Sequence, residues 1–439
     1  QLTGIRSEPH GNQAVVSGAY GGFSTVWGAQ VMPFTPGVLA RWPISSPALT
    51  RSYRAVLKHL PFAGVEDDLA GLFPLLVEPQ ALPPISPRSM LTLGNYERNR
   101  RRLQALGITM GRARLALDAG ACVRCGLCMT GCPYSLVYSA NTTMDALRQS
   151  GRITYRSGVL VHKVEEDEDG VVVHTTGPGG REPAQFRAER VFLACGGVGT
   201  ARVVVNSLGA EGEELVLHES RQFAVPFLSR RATPDPRVVD DFTLNQFNMA
   251  VAFDEEGIDL SVIHFYSYNP AVLAGVPALL KRRWASPLLT RALTRLTVAL
   301  GYVPSWRSPT IRLRFGKPGA SGLGSLSLTE EPTGAADEFF AQVLRRLRQA
   351  APHLDLWPLA RAAFVSGPGK SYHFGGTFPH SPGRDRSPYA TDRLGRLRQW
   401  QRVHIVDGSV LPDIPATTFT LTVMANAHRI AREVARSGR

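Results

Sequence analysis

Between Ala121 and Ser135 the chain reads ACVRCGLCMTGCPYS, and Cys122, Cys125, Cys128 and Cys132 are four of its five cysteines. No other stretch restricts the local fold so tightly. Extracellular frameworks spread their cysteines so that disulfides close long loops, and thiols crowded this closely do not. They can instead converge on one inorganic body. A tight loop with two-residue gaps wraps such a body and turns its backbone N–H groups inward. Gly126 and Gly131 permit the turns, and Pro133 ends the loop.

The spacing C-x2-C-x2-C-x3-C-P is the one found in bacterial ferredoxins, which points to a [4Fe–4S] cluster on all four thiolates. Zinc knuckles normally separate their two cysteine pairs by a dozen or more residues, whereas here the pairs nearly touch. In two-cluster ferredoxins the fourth cysteine of the run serves the other cluster, and no second run exists here. Either Cys132 completes a single cluster, or a [3Fe–4S] cluster uses three of the four. The remaining Cys195 is expected to be a small buried residue beneath a turn.

The length of 439 residues and 44% apolar content allow two or three domains with substantial cores. The stretches RITYRSGVLVHKVEED and GVVVHTT are expected to be meander strands, and AERVFLACGGVGTARVVVNS a buried strand over 191–194, a glycine turn and a helix. From about 215 to 330 an antiparallel sheet is expected, with a basic helical stretch over 276–300 inserted in it. An amphipathic helix follows, with Phe339, Phe340, Val343, Leu344 and Leu347 inward. The greasiest run, LLTRALTRLTVALGYV, is broken by Arg291 and Arg295, which argues against a membrane span. The net charge of +13 comes mainly from dispersed arginine, only five basic residues being lysine. No basic–aromatic interleaving, zinc finger or basic zipper accompanies it, so nucleic acid is not an expected partner. The cluster beginning at Lys281 reads as a solvated helix face or as a membrane-surface or partner-docking face. A chain starting at Gln1 reads as processed or partial. The cytoplasm is the expected compartment, with the periplasm as the alternative.

Several segments together resemble one family, the flavin-dependent glucose–methanol–choline (GMC) oxidoreductases. GGFSTVWGA looks like the family's flavin-contacting glycine segment, which assigns cofactor contacts to Gly21, Gly22, Ser24 and Val26. SGVLVHKV resembles the strand whose backbone meets the adenine, at Val161. VFLACGGVGTARVVVNSLG is similar to the second flavin-side turn, with Ala194, Gly196, Gly197 and Gly199. SYHFGGT resembles the catalytic H-x-x-G-T stretch, and VDGSVLPDIPATTFTLTVMANAHRIA the C-terminal signature, placing Asp407, Gly408, Thr420 and Leu421 at the cofactor. CMTGCPYSLVY also resembles the C-x3-C-P segment of the cluster-carrying sugar dehydrogenases, whose other cysteines are spaced differently. The implied fold is α/β (α+β). A discontinuous FAD-binding domain (1–45, 141–212, 370–439) would surround an antiparallel-sheet substrate domain (213–369), with a helical lid segment (46–117) and a ferredoxin-like cysteine loop (118–140).

Two departures from the family stand out. No G-x-G-x-x-G, whose backbone and helix N-terminus approach the pyrophosphate, precedes Gly21. A companion polypeptide or an N-terminal piece is therefore expected to supply it. Thr418 stands where the family places a second His or Asn, and its hydroxyl is shorter. The resemblance implies that His373 takes a proton from a hydroxyl of a sugar or other alcohol while hydride leaves for FAD. The helix starting near Thr420 would face the reduced flavin. The cluster would pass electrons to an acceptor protein or quinone, as in a dehydrogenase. The sheet residues Asn245, Asn248, His264, Tyr266 and Tyr268 offer polar groups, without a sign of which face the site. His380, His404 and His428 read as structural. The competing reading is a non-catalytic electron-transfer or scaffold subunit that keeps the cluster without flavin.

Overall fold

The computed structural model describes residues 16–177, 183–237, 239, 241–268, 286–319, 323–383 and 387–437. The cluster Lys281–Ala285 and the segment before Val16 lie outside them. Its largest sheet is antiparallel. The strands run in the order Trp357–Pro358, Arg221–Leu228, Leu296–Val303, Leu260–Tyr266, Asn245–Ala252 and Ile108–Arg112, and Phe364–Val365 also pairs with Arg221–Leu228.

Period-two alternation divides this sheet into two unlike faces. Phe223, Val225, Phe227, Phe247, Met249, Ile263 and Phe265 point one way and form a core with Tyr96, Leu103, Phe339, Val343 and Leu347. Those partners belong to helices Pro87–Ala105 and Ala335–Leu354. Each fully buried phenylalanine stabilises this layer by roughly 1.5–3 kcal/mol. The longer helix obeys the same logic, with Asp337 and Glu338 in its first turn, His353 in its last, and its inner residues spaced three or four apart. The opposite face carries Ala224, Asn248, His264, Tyr266, Val298, Leu300 and Tyr302, and it meets the functional site.

Two expectations change here. Residues 296–303 are a central strand, where the sequence suggested helix to 300; among the described residues of that stretch, Ser286–Leu293 is helical. The sheet also reaches outside 213–369, because Ile108–Arg112 pairs with Asn245–Ala252. Thr310–Phe315 and Leu326–Glu331 belong to a separate sheet with Glu214–Glu219 and Phe374–Gly375.

That second sheet shares a core with the strand–turn–helix unit. Val191–Leu193 pairs in parallel with Val403–Ile405, and helix Gly196–Leu208 follows. The meander Leu160–Asp167, Gly170–Thr176 and Ala184–Ala188 packs on that helix, where Ser207 Oγ accepts from Val164 N at 2.9 Å and Asn206 donates to the His162 carbonyl at 2.9 Å. The parallel pair has no further strand beside it among the described residues. Parallel strands are normally covered on both faces. Here Phe192 is 43% exposed, so the strand expected to be buried is open on one side.

Helix Thr420–Ser437 packs against helix Ser46–Leu57, and Tyr53 Oη shares a hydrogen bond with Thr422 at 2.7 Å. The 46–57 helix forms where Leu49, Tyr53, Val56 and Leu57 predict it.

Candidate functional site

His373 sits on a heavily braced loop. The buried Glu219 carboxylate accepts from Gly369 N and Ser371 N, both at 3.0 Å. Ser371 Oγ accepts from His373 N at 3.0 Å, and the His373 carbonyl accepts from Ser220 N at 2.9 Å. Tyr372, between them, holds a left-handed φ of 60°, unusual for a bulky side chain and commonest where a site dictates the backbone. The loop then zips onto the Asp407–Val410 turn through Gly376 N to Gly408 O (2.9 Å), Phe378 N to Ser409 O (2.8 Å) and His380 N to Val410 O (2.9 Å). Gly375 is required there, since a Cβ would lie 2.2 Å from the Gly408 carbonyl oxygen.

The imidazole of His373 stacks on Tyr302 (4.2 Å, 16°) and meets the edge of Phe419 at 5.0 Å. Its Nδ1 is buried without a hydrogen-bond partner, and burial pushes its pKa down to about 3. Thr418, the residue before Phe419, buries a hydroxyl that likewise has no partner.

A second imidazole joins this group from the large sheet. His264 is 2% exposed, and its Nδ1 lies 2.8 Å from Asn248 Oδ1 and 2.9 Å from Gln30 Nε2. Gln30 is itself fixed, accepting from Arg114 N at 3.1 Å. The far nitrogen, Nε2, has no partner, and the ring meets Tyr302 edge-on at 5.6 Å. Burial, reinforced by nearby His373, lowers the pKa of His264 to about 3. Tyr302 thus separates two neutral imidazoles. Of the polar sheet residues, Asn248, His264 and Tyr266 share this face. Asn245 is engaged with the Phe247 carbonyl through its amide nitrogen. Period-two alternation would have grouped 264 with 266, but only the packing of the opposite face reveals which side is open.

The expected flavin contacts gather around the same point. Phe23 of the Gly22–Thr25 turn meets Tyr372 edge-on at 5.9 Å, and a Cβ on Gly197 would touch Phe374 at 3.4 Å. A Cβ on Gly408 would lie 3.3 Å from the Phe419 ring. Gly21, Gly22 and Gly196 hold φ of 92°, 59° and 77°, which suits close backbone approach by a ligand. Val161 lies at a register shift in the meander strand that packs on helix Gly196–Leu208. Gly199 lies one turn into that helix, with Cys195 beneath it.

Three assignments change character. The Asp407 carboxylate accepts from Gly196 N (2.9 Å), Thr200 Oγ1 and Ser409 N (2.9 Å), so it ties the two turns together and offers no free oxygen pair to a cofactor. The Ser24 hydroxyl accepts from Ala140 N at 2.8 Å at the start of helix Ala140–Gln149. Leu421 is fully buried in the core, leaving only its backbone near the site, beside the partly exposed Thr420. Val26 is 78% exposed. Cys195 and its neighbours Ala194 and Gly196 are exposed as well, correcting the expectation of a buried thiol. The cradle fits a dinucleotide on the side these residues line: open backbone at glycine turns, beside unpartnered buried polar atoms.

The cysteine loop adjoins the site. Cys122, Cys125, Cys128 and Cys132 line one small pocket together with Leu117, Leu136 and Val137. Gly126 and Gly131 take φ of 73° and 102°, as the turns require. Thr243 N donates to Cys128 Sγ at 3.4 Å, and Thr243 Oγ1 donates to the Gly126 carbonyl at 3.0 Å. The Cys122 thiol is pushed up by burial and then by the negative charge of its three neighbours. Among the described residues no three His, Cys, Asp or Glu side chains form a group that could hold a single metal ion.

His380, His404 and His428 each make packing contacts within the fold. His380 is clamped between the Asp392 carbonyl (2.7 Å) and Asn426 (3.0 Å), with its pKa lowered to about 4 mainly by burial. His404 bonds the Leu394 carbonyl and His428 contacts Ser52. With His264, His373 and His380 held neutral, the unfolded chain binds protons below pH 6.5 that the native protein refuses. Stability is therefore expected to fall from pH 6.5 toward pH 4, by up to about 1.4 kcal/mol per pH unit for each imidazole. Urea midpoints measured across that range check this; a flat profile contradicts it.

Residues 336–427, which include His373, Asp407 and Thr418, match a family model described as GMC oxidoreductase. No curated protein matches the chain. Among solved structures, pyridoxine 4-oxidase from Mesorbium loti is similar at a TM-score of 0.61 and 14% identity, covering 94% of this chain and 83% of its own. An FAD-dependent oxidoreductase from Chaetomium thermophilum is similar at 0.63 and 11% identity, covering 97% and 87%. The mixed α/β fold with antiparallel sheets is shared with both. No helix among the described residues is long and apolar enough to cross a membrane.

Proposed function

We propose that this protein is an FAD-dependent dehydrogenase that oxidises a CH–OH group, with His373 as the base and the cysteine loop as the electron outlet. The observation that carries it is the meeting of His373, Tyr302, His264 and Phe419 beside the glycine turns. Bound FAD supplies the acceptor that takes the carbinol hydrogen with its electron pair. The chain supplies the rest. His373 is neutral at working pH and has an unpaired Nδ1, so it can take the hydroxyl proton. The stack against Tyr302 and Phe419 fixes its plane. His264 Nε2 and Thr418 Oγ1 are buried and unpartnered, as expected of groups that await a substrate hydroxyl.

His264 therefore positions the substrate. His264→Leu is expected to raise KM about tenfold, the worth of one hydrogen bond, with a smaller effect on kcat. Steady-state kinetics with one alcohol check this, and an unchanged KM contradicts it.

The four thiols lining one pocket support the iron–sulfur assignment. A tetrahedral zinc would draw its sulfurs to about 3.8 Å from one another, given Zn–S near 2.3 Å. A cluster held there supplies one-electron transfer to an acceptor protein or quinone. Trp27 and Tyr138 lie between the Gly22–Thr25 turn and the loop, Trp27 Nε1 donating to the Tyr138 carbonyl at 2.8 Å.

A companion unit carrying the pyrophosphate-binding turn fits the bare parallel strand pair with exposed Phe192 and Val26. Native mass spectrometry of the purified assembly tests this part. The expected mass contains FAD, a four-iron cluster and one further dinucleotide-binding unit; a lone chain retaining FAD would contradict the need for that unit.

A further inference from the structure

The face of the large sheet that presents His264 and Tyr302 continues into a cavity of about 970 Å³. Leu300 is the cross-strand partner of His264 and lines the cavity, as does Tyr266, two residues from His264 on the same face. The cavity thus begins one cross-strand position from His264. Its floor continues through Ala224, Pro226 and Val298, and its far wall is formed by Leu293 and by Leu127 of the cysteine loop.

Charged groups stand at its edge. Arg88 donates to the Arg231 carbonyl (2.8 Å) and the Thr294 carbonyl (2.6 Å). Arg237 is held by Asp235 at 2.6 Å. The floor residues Ala224, Pro226, Val298 and Leu300 offer no side-chain donor or acceptor, whereas each hydroxyl of a polyhydroxylated ligand taken from water must find a partner.

We propose that the substrate is a bulky apolar alcohol, aliphatic or alicyclic, whose hydrocarbon body fills this cavity while its hydroxyl reaches His264 and His373. This rests on the alcohol-oxidising reading above and replaces a sugar as the substrate class. The volume is at the upper end of ordinary ligand pockets, room for roughly twenty or more non-hydrogen atoms. Each methylene placed in it is expected to tighten binding about fourfold, the equivalent of 0.8 kcal/mol of transfer free energy.

The test titrates linear 1-alkanols from butanol to decanol, and the polyol sorbitol, into the purified holoprotein by calorimetry, with flavin bleaching followed in parallel under anaerobic conditions. The expected result is about fourfold tighter binding per added carbon, with a negative heat-capacity change, and no binding of sorbitol. In Ala224→Phe the new ring occupies the floor, so the gain per carbon is expected to stop at a shorter chain. Chain-length-independent binding, or sorbitol binding more tightly than hexanol, overturns the proposal, and the unmodified protein alone decides this should the variant not fold. Alkanols that bind with the expected slope but never bleach the flavin would instead sink the alcohol-oxidising reading and, with it, their role as substrates.

Discussion

His373→Gln is expected to slow anaerobic flavin reduction by an alcohol by about 10²–10⁴-fold, the range for losing a positioned general base. The variant keeps the braces that shape the loop, because Glu219, Ser371 and Ser220 hold its backbone and not its ring. FAD content and thermal stability are expected to stay near those of the parent, so the loss belongs to the proton-transfer step. The pH profile adds an independent check. With a pKa lowered to about 3 by burial, His373 stays neutral through pH 6.5 and below. The rate in the parent is thus expected to show no inflection near the ordinary histidine value. A rate within about threefold of the parent removes His373 from the chemistry, whereas an inflection near pH 6.5 shows only that the imidazole titrates at its ordinary value.

Cys128→Ser is expected to have the second large effect, on a different step. Cys128 packs against the core that carries Leu117 and accepts from Thr243 N, so its sulfur is among the best fixed of the four. A serine oxygen there should cost more than about 100-fold in metal affinity, since even outer-shell changes cost 10–100-fold. Iron per chain and the broad visible absorption of the cluster should collapse. Flavin reduction by substrate should survive, while turnover with a one-electron acceptor should fall with the iron. Cys195→Ser, outside the loop and exposed, is expected to change neither. If iron content is unchanged in Cys128→Ser, the loop holds something other than a four-thiolate cluster.

These two outcomes separate what was readable in the chain from what was not. The turns of the cysteine loop were legible because they are local: the spacing brings the four thiols to one pocket, and Gly126 and Gly131 take the left-handed φ that the turns need. The close packing of the His373 loop was legible for a similar reason, since Gly375 and Gly376 mark a backbone pressed against another segment. Residues 296–303 were misread because LTVALGYV is apolar without a clear period, and only pairing with Arg221–Leu228 and Leu260–Tyr266 makes it a strand. The strand Ile108–Arg112 was missed because its partner lies more than a hundred residues away. His264 could be named but not oriented, as a strand's register decides which face is open. Ser24 and Asp407 carry something that resemblance does not announce: their side chains also brace the backbone of neighbouring segments.

The central claim is that one protein joins alcohol oxidation at His373 to an electron outlet in the cysteine loop. Anaerobic addition of decanol to the purified assembly, with visible absorption and electron paramagnetic resonance recorded together, tests it most directly. The account predicts that the flavin bands bleach and that a reduced iron–sulfur signal appears in the same sample. A preparation with the cluster signal but no flavin bands, unchanged by alcohol, would contradict it and leave an electron-transfer subunit in its place.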